Sequence, residues 1–323
     1  MLEPSPYPRT DKSPLLNPEI SINSGQMFLW EKYDNSWYGI YGEHILKVSN
    51  LSPASHIGDN RSDINKSKRD IEFLSFPEIK SWERHVFRLD DNIKEILSSF
   101  SNDALVSESI RKYPGLRLMR QEPHQCMISF VCASNTNMFM IRRMLKNLSR
   151  KYGNKVIVDG REFFTFPCAE RLNKATDLEL RLCGLGYRTK AVKALTESIV
   201  NSNIDIKYLL SINYDDAKQE LLKVYGVGNK VADCILLFCL DKLDAFPIDI
   251  WITRVLYWHY SWLFSKDKKK ERQRKRREMI DEKITFNEYK ILSKNIRNYF
   301  GKYCGYAQQY LFYNIRETAG KKW

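Results

Sequence analysis

The fold is decided by residues 215–256, which read DDAKQELLKVYGVGNKVADCILLFCLDKLDAFPIDIWITRVL. Apolar residues recur at helical spacing on both sides of a short Gly-x-Gly element at Gly226 and Gly228. Glycine reaches the backbone angles of a tight turn more easily than other residues, so the two glycines interrupt the helical pattern. The stretch therefore predicts a helix, a hairpin and a second helix over residues 215–240.

The junction between the hairpin and the second helix suits an anion. Free backbone N–H groups and the positive end of the helix dipole meet there and favour a phosphate. Lys230 lies in the first turn of this helix, where positive potential and partial burial would disfavour its ammonium form. A free amine attacks a sugar or carbonyl carbon, so Lys230 is a candidate nucleophile.

A candidate carboxylate lies nineteen residues after this lysine. Asp249 follows Pro247 and precedes an apolar helical pattern, so it is predicted to cap the next helix and to face the hairpin. A lysine and a carboxylate beside a phosphate site suit cleavage of a glycosidic bond in DNA. The pattern alone leaves a simpler interpretation open, because a Gly-x-Gly turn is commonly only a turn and an aspartate after proline only a cap.

A family resemblance favours the catalytic interpretation. Residues 226–234, GVGNKVADC, closely resemble the active-site segment of 8-oxoguanine DNA glycosylases in the helix-hairpin-helix glycosylase superfamily. The resemblance extends from Gly25 to Phe312 with gaps at 49–70 and 263–280, and it implies that Lys230 is the nucleophile and that Asp249 assists it. Other branches differ, because endonuclease III and adenine glycosylases generally carry four C-terminal cysteines for an iron–sulfur cluster, and alkyladenine glycosylases usually lack the lysine.

The charge balance predicts a polyanionic partner. The 323 residues carry a formal net charge of +13, which favours binding to nucleic acid. Residues 266–278 hold nine lysines and arginines against three acidic residues, and the rest of the chain is basic as well. This run is predicted to be a solvated insertion, or otherwise a flexible arm that adds non-specific affinity for DNA.

The cysteines and the hydropathy pattern indicate an intracellular, DNA-associated protein. Seven cysteines are scattered through mostly apolar stretches without a C-x-x-C pair, which is typical of reduced core thiols and argues against a structural zinc or an iron–sulfur cluster. No stretch approaches the roughly 18 apolar residues of a membrane span. Residues 1–18 are polar and contain prolines, so we expect neither a signal peptide nor a membrane span.

The predicted fold class is α+β, mostly α. Residues 1–18 are predicted to be a tail, and residues 19–100 an N-terminal domain with a twisted antiparallel β-sheet. Residues 101–323 are predicted to form helical domains that carry the helix-hairpin-helix motif at 215–240 and a basic insertion at 263–280. The strands of the first domain are expected at 28–30, 37–41, 44–48 and 85–89, with a mobile loop at 49–70.

The first helical signals follow the predicted sheet. Asp90 or Asp91 is expected to cap a helix, and another is expected to begin at Ser107. Pro123 is predicted to start a helix that is apolar nearly all round and therefore buried, and that ends in the polar residues 133–137. A further helix is predicted over 190–200, after a loop tip that exposes Tyr187 and Arg188.

The resemblance implies a pocket for a damaged base that has been flipped out of the duplex. The carbonyl of Gly25 would accept the N7–H of 8-oxoguanine, a donor that normal guanine lacks. Gln308 would bond the Watson–Crick edge of this base, while Phe312 and Cys234 would stack on its two faces. The complete set of substrate-binding residues implied in this way is Gly25, Phe130, Cys234, Pro247, Gln308 and Phe312.

The resemblance also implies a DNA-binding surface. Asn135 and Arg188 would read the orphaned cytosine, and Tyr187 would fill the gap that base flipping leaves in the stack. The full set is Asn135, Tyr187, Arg188, Gly226, Gly228, Val231 and Trp251. Two positions depart from the family, because Trp251 stands where histidine often contacts a phosphate and Met140 replaces a cytosine-reading arginine. Methionine has no hydrogen-bond donor, which predicts looser selection for cytosine opposite the lesion, with Arg142 or Arg143 in partial compensation.

The activity implied by the resemblance is that of a bifunctional 8-oxoguanine DNA glycosylase with β-lyase activity. The expected partner is double-stranded DNA that contains 8-oxoguanine, with no membrane and with the protein acting as a monomer. No cofactor and no catalytic metal are expected, although a cation held by the carbonyls of Leu222, Val224 and Val227 would screen a phosphate. Two alternatives stay open: a non-catalytic helix-hairpin-helix DNA-binding protein, and a superfamily glycosylase for another damaged base.

Overall fold

The computed structural model describes residues 15–50, 71–264 and 284–320. A small antiparallel sheet comes first and is followed by helices, which confirms the α+β, mostly α class. The predicted mobile loop at 49–70 and the basic insertion at 263–280 lie almost entirely outside the described residues. The proposed division into a tail, a sheet domain and helical domains stays a prediction.

The N-terminal sheet has four antiparallel strands in the order β1-β2-β3-β4. Their bounds are β1 Trp30–Tyr33, β2 Ser36–Tyr41, β3 His44–Asn50 and β4 Ile71–Phe76. The prediction of a strand at 28–30 was wrong except at its last residue, because Phe28 and Leu29 are core residues that precede the paired segment. The prediction of a strand at 85–89 was also wrong, and the fourth strand comes earlier in the chain.

The segment mistaken for a strand is a short helix. Trp82 and Val86 are four residues apart and both buried, so one helical turn places them together under the sheet. The chain then turns at Arg88, which has a φ of 48° and a buried guanidinium that pairs with Asp241 at 2.7 Å. Branched and aromatic residues such as Trp82 and Val86 suit a strand as well as a helix, and packing against the sheet decides for the helix here.

A second hairpin was missed by the sequence analysis. Strands β5 Lys155–Val158 and β6 Arg161–Phe164 are joined by Asp159 and Gly160, which have φ values of 50° and 71°. Two positive φ angles in an Asp-Gly pair characterise the tight hairpin turn that matches strand twist. The signal was therefore present in the sequence.

The described helices fill the rest of the molecule. In chain order they are α1 Pro18–Asn23, α2 Trp82–Val86, α3 Ile93–Ser98, α4 Ala104–Lys112, α5 Pro123–Cys132, α6 Met138–Tyr152, α7 Ala169–Asn173, α8 Asp177–Leu182, α9 Thr189–Val200, α10 Ile206–Ser211, α11 Tyr214–Leu222, α12 Asn229–Cys239, α13 Ile250–His259, α14 Phe286–Phe300 and α15 Cys304–Thr318. In the described ranges every helix is too short or too polar to span a bilayer.

Helix caps account for two further corrections. The cap of α3 is Asn92, whose side chain accepts from Glu95 N, so the choice of Asp90 or Asp91 was wrong. Helix α4 begins at Ala104 rather than Ser107, because Asp103 Oδ1 accepts from Val106 N at 2.9 Å. The start of α5 at Pro123 and its end before Ala133 are confirmed.

The core is centred on α5 and α12. Phe130 of α5 stacks on Phe238 of α12 with ring centroids 5.4 Å apart, and both are almost fully buried. All seven cysteines are free, and six of them are buried, as the sequence predicted. This packing fixes the helix that carries Lys230 against the helix that carries Phe130.

The predicted helix-hairpin-helix motif is confirmed as α11, a tight turn and α12. Gly226 has a φ of 87°, and a Cβ placed on it would lie 2.2 Å from the Cβ of Ala191 in α9. Val227 N donates to Val224 O at 3.1 Å and closes the turn. The hairpin therefore needs glycine at 226 both for its conformation and for its close approach to α9.

Candidate active site

A cavity of about 1130 Å³ opens between the turn before the sheet, α5, the hairpin, α13 and α15. Thirteen of the fifteen site residues predicted from the sequence line it: Gly25, Phe130, Asn135, Gly226, Gly228, Lys230, Val231, Cys234, Pro247, Asp249, Trp251, Gln308 and Phe312. Tyr187 and Arg188 are the two that do not. Residues scattered over most of the chain thus meet at one site, while the role of each stays a prediction.

Lys230 lies at the start of α12, in contact with an aromatic ring. Its Nζ lies 5.3 Å from the centroid of Phe130, a position that a ring quadrupole favours for a cation. Cys234 is one helical turn further on and is 3% exposed. Burial raises the pKa of the Cys234 thiol to about 12, although the neighbouring Lys230 opposes the shift. The thiol is therefore neutral at ordinary pH and can contact an apolar ring face.

Asp249 faces the cavity from the start of α13. It is the N-cap of this helix, as predicted, and its Oδ1 accepts from Ile252 N at 2.8 Å. Burial raises the pKa of the Asp249 carboxyl above its usual value, while backbone N–H groups and the charge of Lys230 act in the opposite direction. The carboxylate thus has a fixed orientation and a strong preference for a nearby positive charge.

The far wall of the cavity carries an unsatisfied acceptor. Gln308 is 5% exposed, and its Nε2 donates to Pro247 O at 3.2 Å. Its Oε1 is buried and has no hydrogen-bond partner in the described part of the chain. A buried acceptor left unpaired costs free energy unless a bound molecule supplies a donor. Phe312 lies one turn later on the same helix and lines the same cavity.

The glycine turn near the N-terminus forms another wall. Gly25 has a φ of 79°, which an L side chain rarely adopts. The preceding residue, Ser24, is fully buried, and its carbonyl accepts from Gln309 Nε2 at 2.8 Å. This turn is therefore held in place by α15, the helix that also carries Gln308.

The predicted DNA-reading loop contains one correction. Tyr187 is 65% exposed, as predicted, but Arg188 is only 9% exposed. The guanidinium of Arg188 donates to Ser134 O at 2.5 Å and to Asn135 O at 3.2 Å. These carbonyls converge because Asn135 takes a left-handed conformation with a φ of 49°, and a buried cation satisfies them. Arg188 thus holds the turn that presents Asn135, and its reading of cytosine stays a prediction.

Two arginines flank Trp251. The guanidinium carbon of Arg254 lies 4.5 Å from the Trp251 ring, and that of Arg316 lies 5.2 Å from it. Arg316 also lines the cavity, and the charge of Asp249 acts on it. Arg316 was not among the site residues predicted from the sequence, although it lies one helical turn after Phe312 and that spacing places both on one face.

Gly226, Gly228 and Val231 surround the positive end of α12. Gly228 is the N-cap of this helix and provides no side-chain cap, so the first N–H groups of α12 are left to other acceptors. A phosphate is a suitable acceptor at such a position. The cation predicted for the carbonyls of Leu222, Val224 and Val227 stays a prediction.

Known protein families match both halves of this architecture. The family described as the N-terminal domain of 8-oxoguanine DNA glycosylase matches residues 9–127, and the family described as HhH-GPD superfamily base excision DNA repair protein matches residues 128–282. The "Probable N-glycosylase/DNA lyase" of Methanothermobacter thermautotrophicus is 30% identical over 254 residues, which are 72% of this chain and 74% of that protein. The chain belongs to the 8-oxoguanine DNA glycosylase family of the HhH-GPD superfamily.

Two further members of this family are similar. The N-glycosylase/DNA lyase of Saccharomyces cerevisiae is 34% identical over 242 residues, which are 70% of this chain but only 64% of the yeast protein. The match thus spans less than two thirds of that relative. The crystal structure of Clostridium acetobutylicum 8-oxoguanine glycosylase/lyase, in complex with double-stranded DNA containing cytosine opposite 8-oxoG, has a TM-score of 0.77 at 27% identity and covers 94% of this chain and 93% of its own.

Proposed function

We propose that this protein binds double-stranded DNA as a monomer, excises 8-oxoguanine from it and then nicks the strand. The observation that carries this proposal is that Lys230, Asp249 and Gln308 Oε1, an acceptor without a partner among the described residues, lie in one cavity. The N-glycosylase/DNA lyase names of its relatives and the DNA complex of the Clostridium enzyme support the same activity.

Recognition of the base uses the buried Gln308 Oε1, which has no hydrogen-bond partner in the described residues. The Watson–Crick edge of 8-oxoguanine carries the N1–H and amino donors that the buried Gln308 Oε1 needs. The carbonyl of Gly25 would accept the N7–H that distinguishes the lesion from guanine. A site with a buried unpaired acceptor rejects a ligand that has no donor there, because the acceptor then loses water without gaining a bond.

The chemistry begins with attack by Lys230 on the sugar. The lone pair of the neutral Nζ amine forms a bond to C1′ while the bond from C1′ to N9 of the base breaks. The base leaves with that electron pair and takes up the proton that Nζ loses after forming its bond to C1′. Positive charge develops on the sugar in this step. The Asp249 carboxylate, directed into the cavity by its bond to Ile252 N, stabilises this charge.

Strand cleavage follows from the same covalent bond. Opening of the sugar ring gives a Schiff base between Lys230 and C1′, which makes the C2′ protons acidic. Loss of a C2′ proton breaks the C3′–O3′ bond, so the strand is cut 3′ to the lesion. Water then hydrolyses the Schiff base and releases Lys230.

A nicking assay with borohydride trapping tests the proposal. Duplexes that carry 8-oxoguanine opposite each of the four bases are incubated with the protein, and base release, strand cleavage and covalent capture are measured. We expect all three with 8-oxoguanine and none with guanine. If the protein binds these duplexes but releases no base and is never captured, it is a non-catalytic DNA-binding protein.

A further inference from the structure

A buried polar cluster borders the active site around Asp233 of α12, which does not itself line the cavity. Asp233 has no exposed surface and lies three residues after Lys230. Its carboxylate accepts from Tyr214 Oη at 2.6 Å, from Tyr289 Oη at 2.6 Å and from Lys218 Nζ at 2.8 Å. A buried carboxylate needs such partners, because its desolvation is otherwise costly.

Tyr289 has a second contact that ties the cluster to the active site. Its hydroxyl oxygen accepts from Ile248 N at 3.1 Å, and Ile248 is the residue before Asp249. Tyr289 and Ile248 both line the cavity. Burial and the negative charge of Asp233 raise the pKa of Tyr289 well above its usual value. The hydroxyl therefore stays protonated, donating to Asp233 and accepting from Ile248.

The cluster connects the two reactive groups through a short path. Lys230 and Asp233 are on the same rigid helix, while Asp249 begins another helix after a loop. The Asp233 carboxylate and the Tyr289 hydroxyl bridge from the first helix to the backbone of that loop. The hydrogen bond from Ile252 N orients the Asp249 carboxylate, but Tyr289 fixes the backbone from which this side chain projects.

We propose that Tyr289, held by Asp233, is a positioning residue that sets the location of the Asp249 carboxylate relative to Lys230. The inference rests on the proposed function and deepens it, because both reactive groups belong to the excision step. Displacement of a reacting group by about 1 Å can slow an enzyme roughly a hundredfold. One hydroxyl on a neighbouring helix would thus control the rate through the position of Asp249.

The chain offers a matched control for this inference. Tyr214 also donates to Asp233 at 2.6 Å, and its hydroxyl lies within hydrogen-bonding distance of Lys218 and Ser293 as well. Tyr214 does not line the cavity. Substitution of either tyrosine by phenylalanine removes one hydroxyl from the same buried carboxylate, but only Tyr289→Phe releases the backbone before Asp249.

The test compares wild type, Tyr289→Phe and Tyr214→Phe as full-length proteins. Single-turnover release of 8-oxoguanine opposite cytosine is measured, together with the affinity for a duplex that carries a tetrahydrofuran abasic analogue and the urea midpoint of unfolding. We expect Tyr289→Phe to slow base release about 10- to 100-fold and Tyr214→Phe to stay within about threefold of wild type. Affinity for the abasic duplex should be equal in all three proteins.

A second measurement separates positioning from general damage. Borohydride capture on a preformed abasic site needs Lys230 but no base release, so Tyr289→Phe should lower it far less than it lowers excision. Equal losses in the two assays, or equal slowing by both tyrosine variants, would overturn the positioning role. If Tyr289→Phe does not fold, Asp233→Asn takes its place under the same criteria, because it retains the shape of the buried group. If wild type itself releases no base, the proposed function fails instead.

Discussion

Asp249 combines two requirements that oppose each other. In the proposed function its carboxylate is ionised and stabilises a positive sugar, yet burial raises its pKa and so disfavours the ionised form in the folded protein. A carboxyl whose pKa is higher when folded than when unfolded lowers stability once the pH exceeds its unfolded value. Under the proposed function, the negative charge that stabilises the sugar therefore lowers the stability of the folded protein.

The Asp249→Asn variant should make this conflict measurable. Asparagine caps a helix as well as aspartate does, so the α13 cap is retained while the buried charge is removed. We expect a higher thermal midpoint than wild type at pH 7, a difference that disappears below pH 4, and loss of base release at both. Thermal unfolding at the two pH values tests this. A variant less stable than wild type at pH 7 would show that the charge stabilises the fold.

Lys230→Gln should abolish base release and borohydride capture while binding to lesion DNA persists. Glutamine occupies similar space but cannot form an imine. Gel-shift affinity and covalent capture are measured on the same duplex. Capture of this variant at the wild-type level would show that another amine is the nucleophile.

Met140 is predicted to loosen the selection of the base opposite the lesion. It lies in the first turn of α6, close to the Asn135 turn, and has no donor for a base edge. One bidentate contact to a base edge is worth roughly 1–3 kcal/mol of discrimination between bases. The preference of wild type for cytosine over the other bases should therefore be about one to two powers of ten weaker than that of a protein with arginine at this position. Met140→Arg should raise the single-turnover ratio of activity opposite cytosine to activity opposite adenine. If wild type already strongly prefers cytosine and Met140→Arg leaves the ratio unchanged, the base opposite the lesion is read by Arg142, Arg143 or Arg188.

At the scale of secondary-structure elements, the predictions succeeded where a short stretch of sequence specifies the structure by itself. The helix-hairpin-helix motif was predictable because Gly226 and Gly228 separate two helical patterns, which are α11 and α12 in the structure. The helix α2 was not, because its Trp82 and Val86 suit a strand equally well until a sheet packs over them. The Asp159-Gly160 turn was overlooked, whereas the bond between Asp233 and Tyr289 joins residues 56 positions apart and leaves no local pattern.

The two glycines of the hairpin should respond differently to alanine. Gly226→Ala meets a φ of 87° and an approach of 2.2 Å to Ala191, so we expect a loss of about 2 kcal/mol or more in the free energy of unfolding. Gly228 has a φ of −91°, and a Cβ added there would have no atom within 4 Å, so Gly228→Ala should stay within about 0.5 kcal/mol of wild type. Urea denaturation compares them. Equal losses would mean that the hairpin tolerates a side chain at 226.

At the scale of the whole molecule, the basic charge sets affinity for DNA. The run from Lys266 to Arg277 lies outside the described residues, and its many lysines and arginines favour contacts with phosphates. Its deletion should lower non-specific affinity and flatten the dependence on salt by about 0.9 in log–log slope for each lost phosphate contact. Binding to undamaged duplex across a salt series measures this, with turnover on a short lesion duplex as control. An unaltered slope would mean that the run is a solvated insertion.

The bond from Gln309 to the carbonyl of Ser24 joins residues 285 positions apart. The ribosome synthesises the residues of the Gly25 turn early. Gln309, whose side chain secures this turn, is added 285 residues after Ser24 and lies on the last described helix. A nascent chain that stalls before α15 would therefore lack both the brace for this turn and Gln308 on the opposite wall. Under the proposed function, such a fragment would carry Lys230 and Asp249 but would present the Gly25 carbonyl to the lesion without the bond that holds this turn in place.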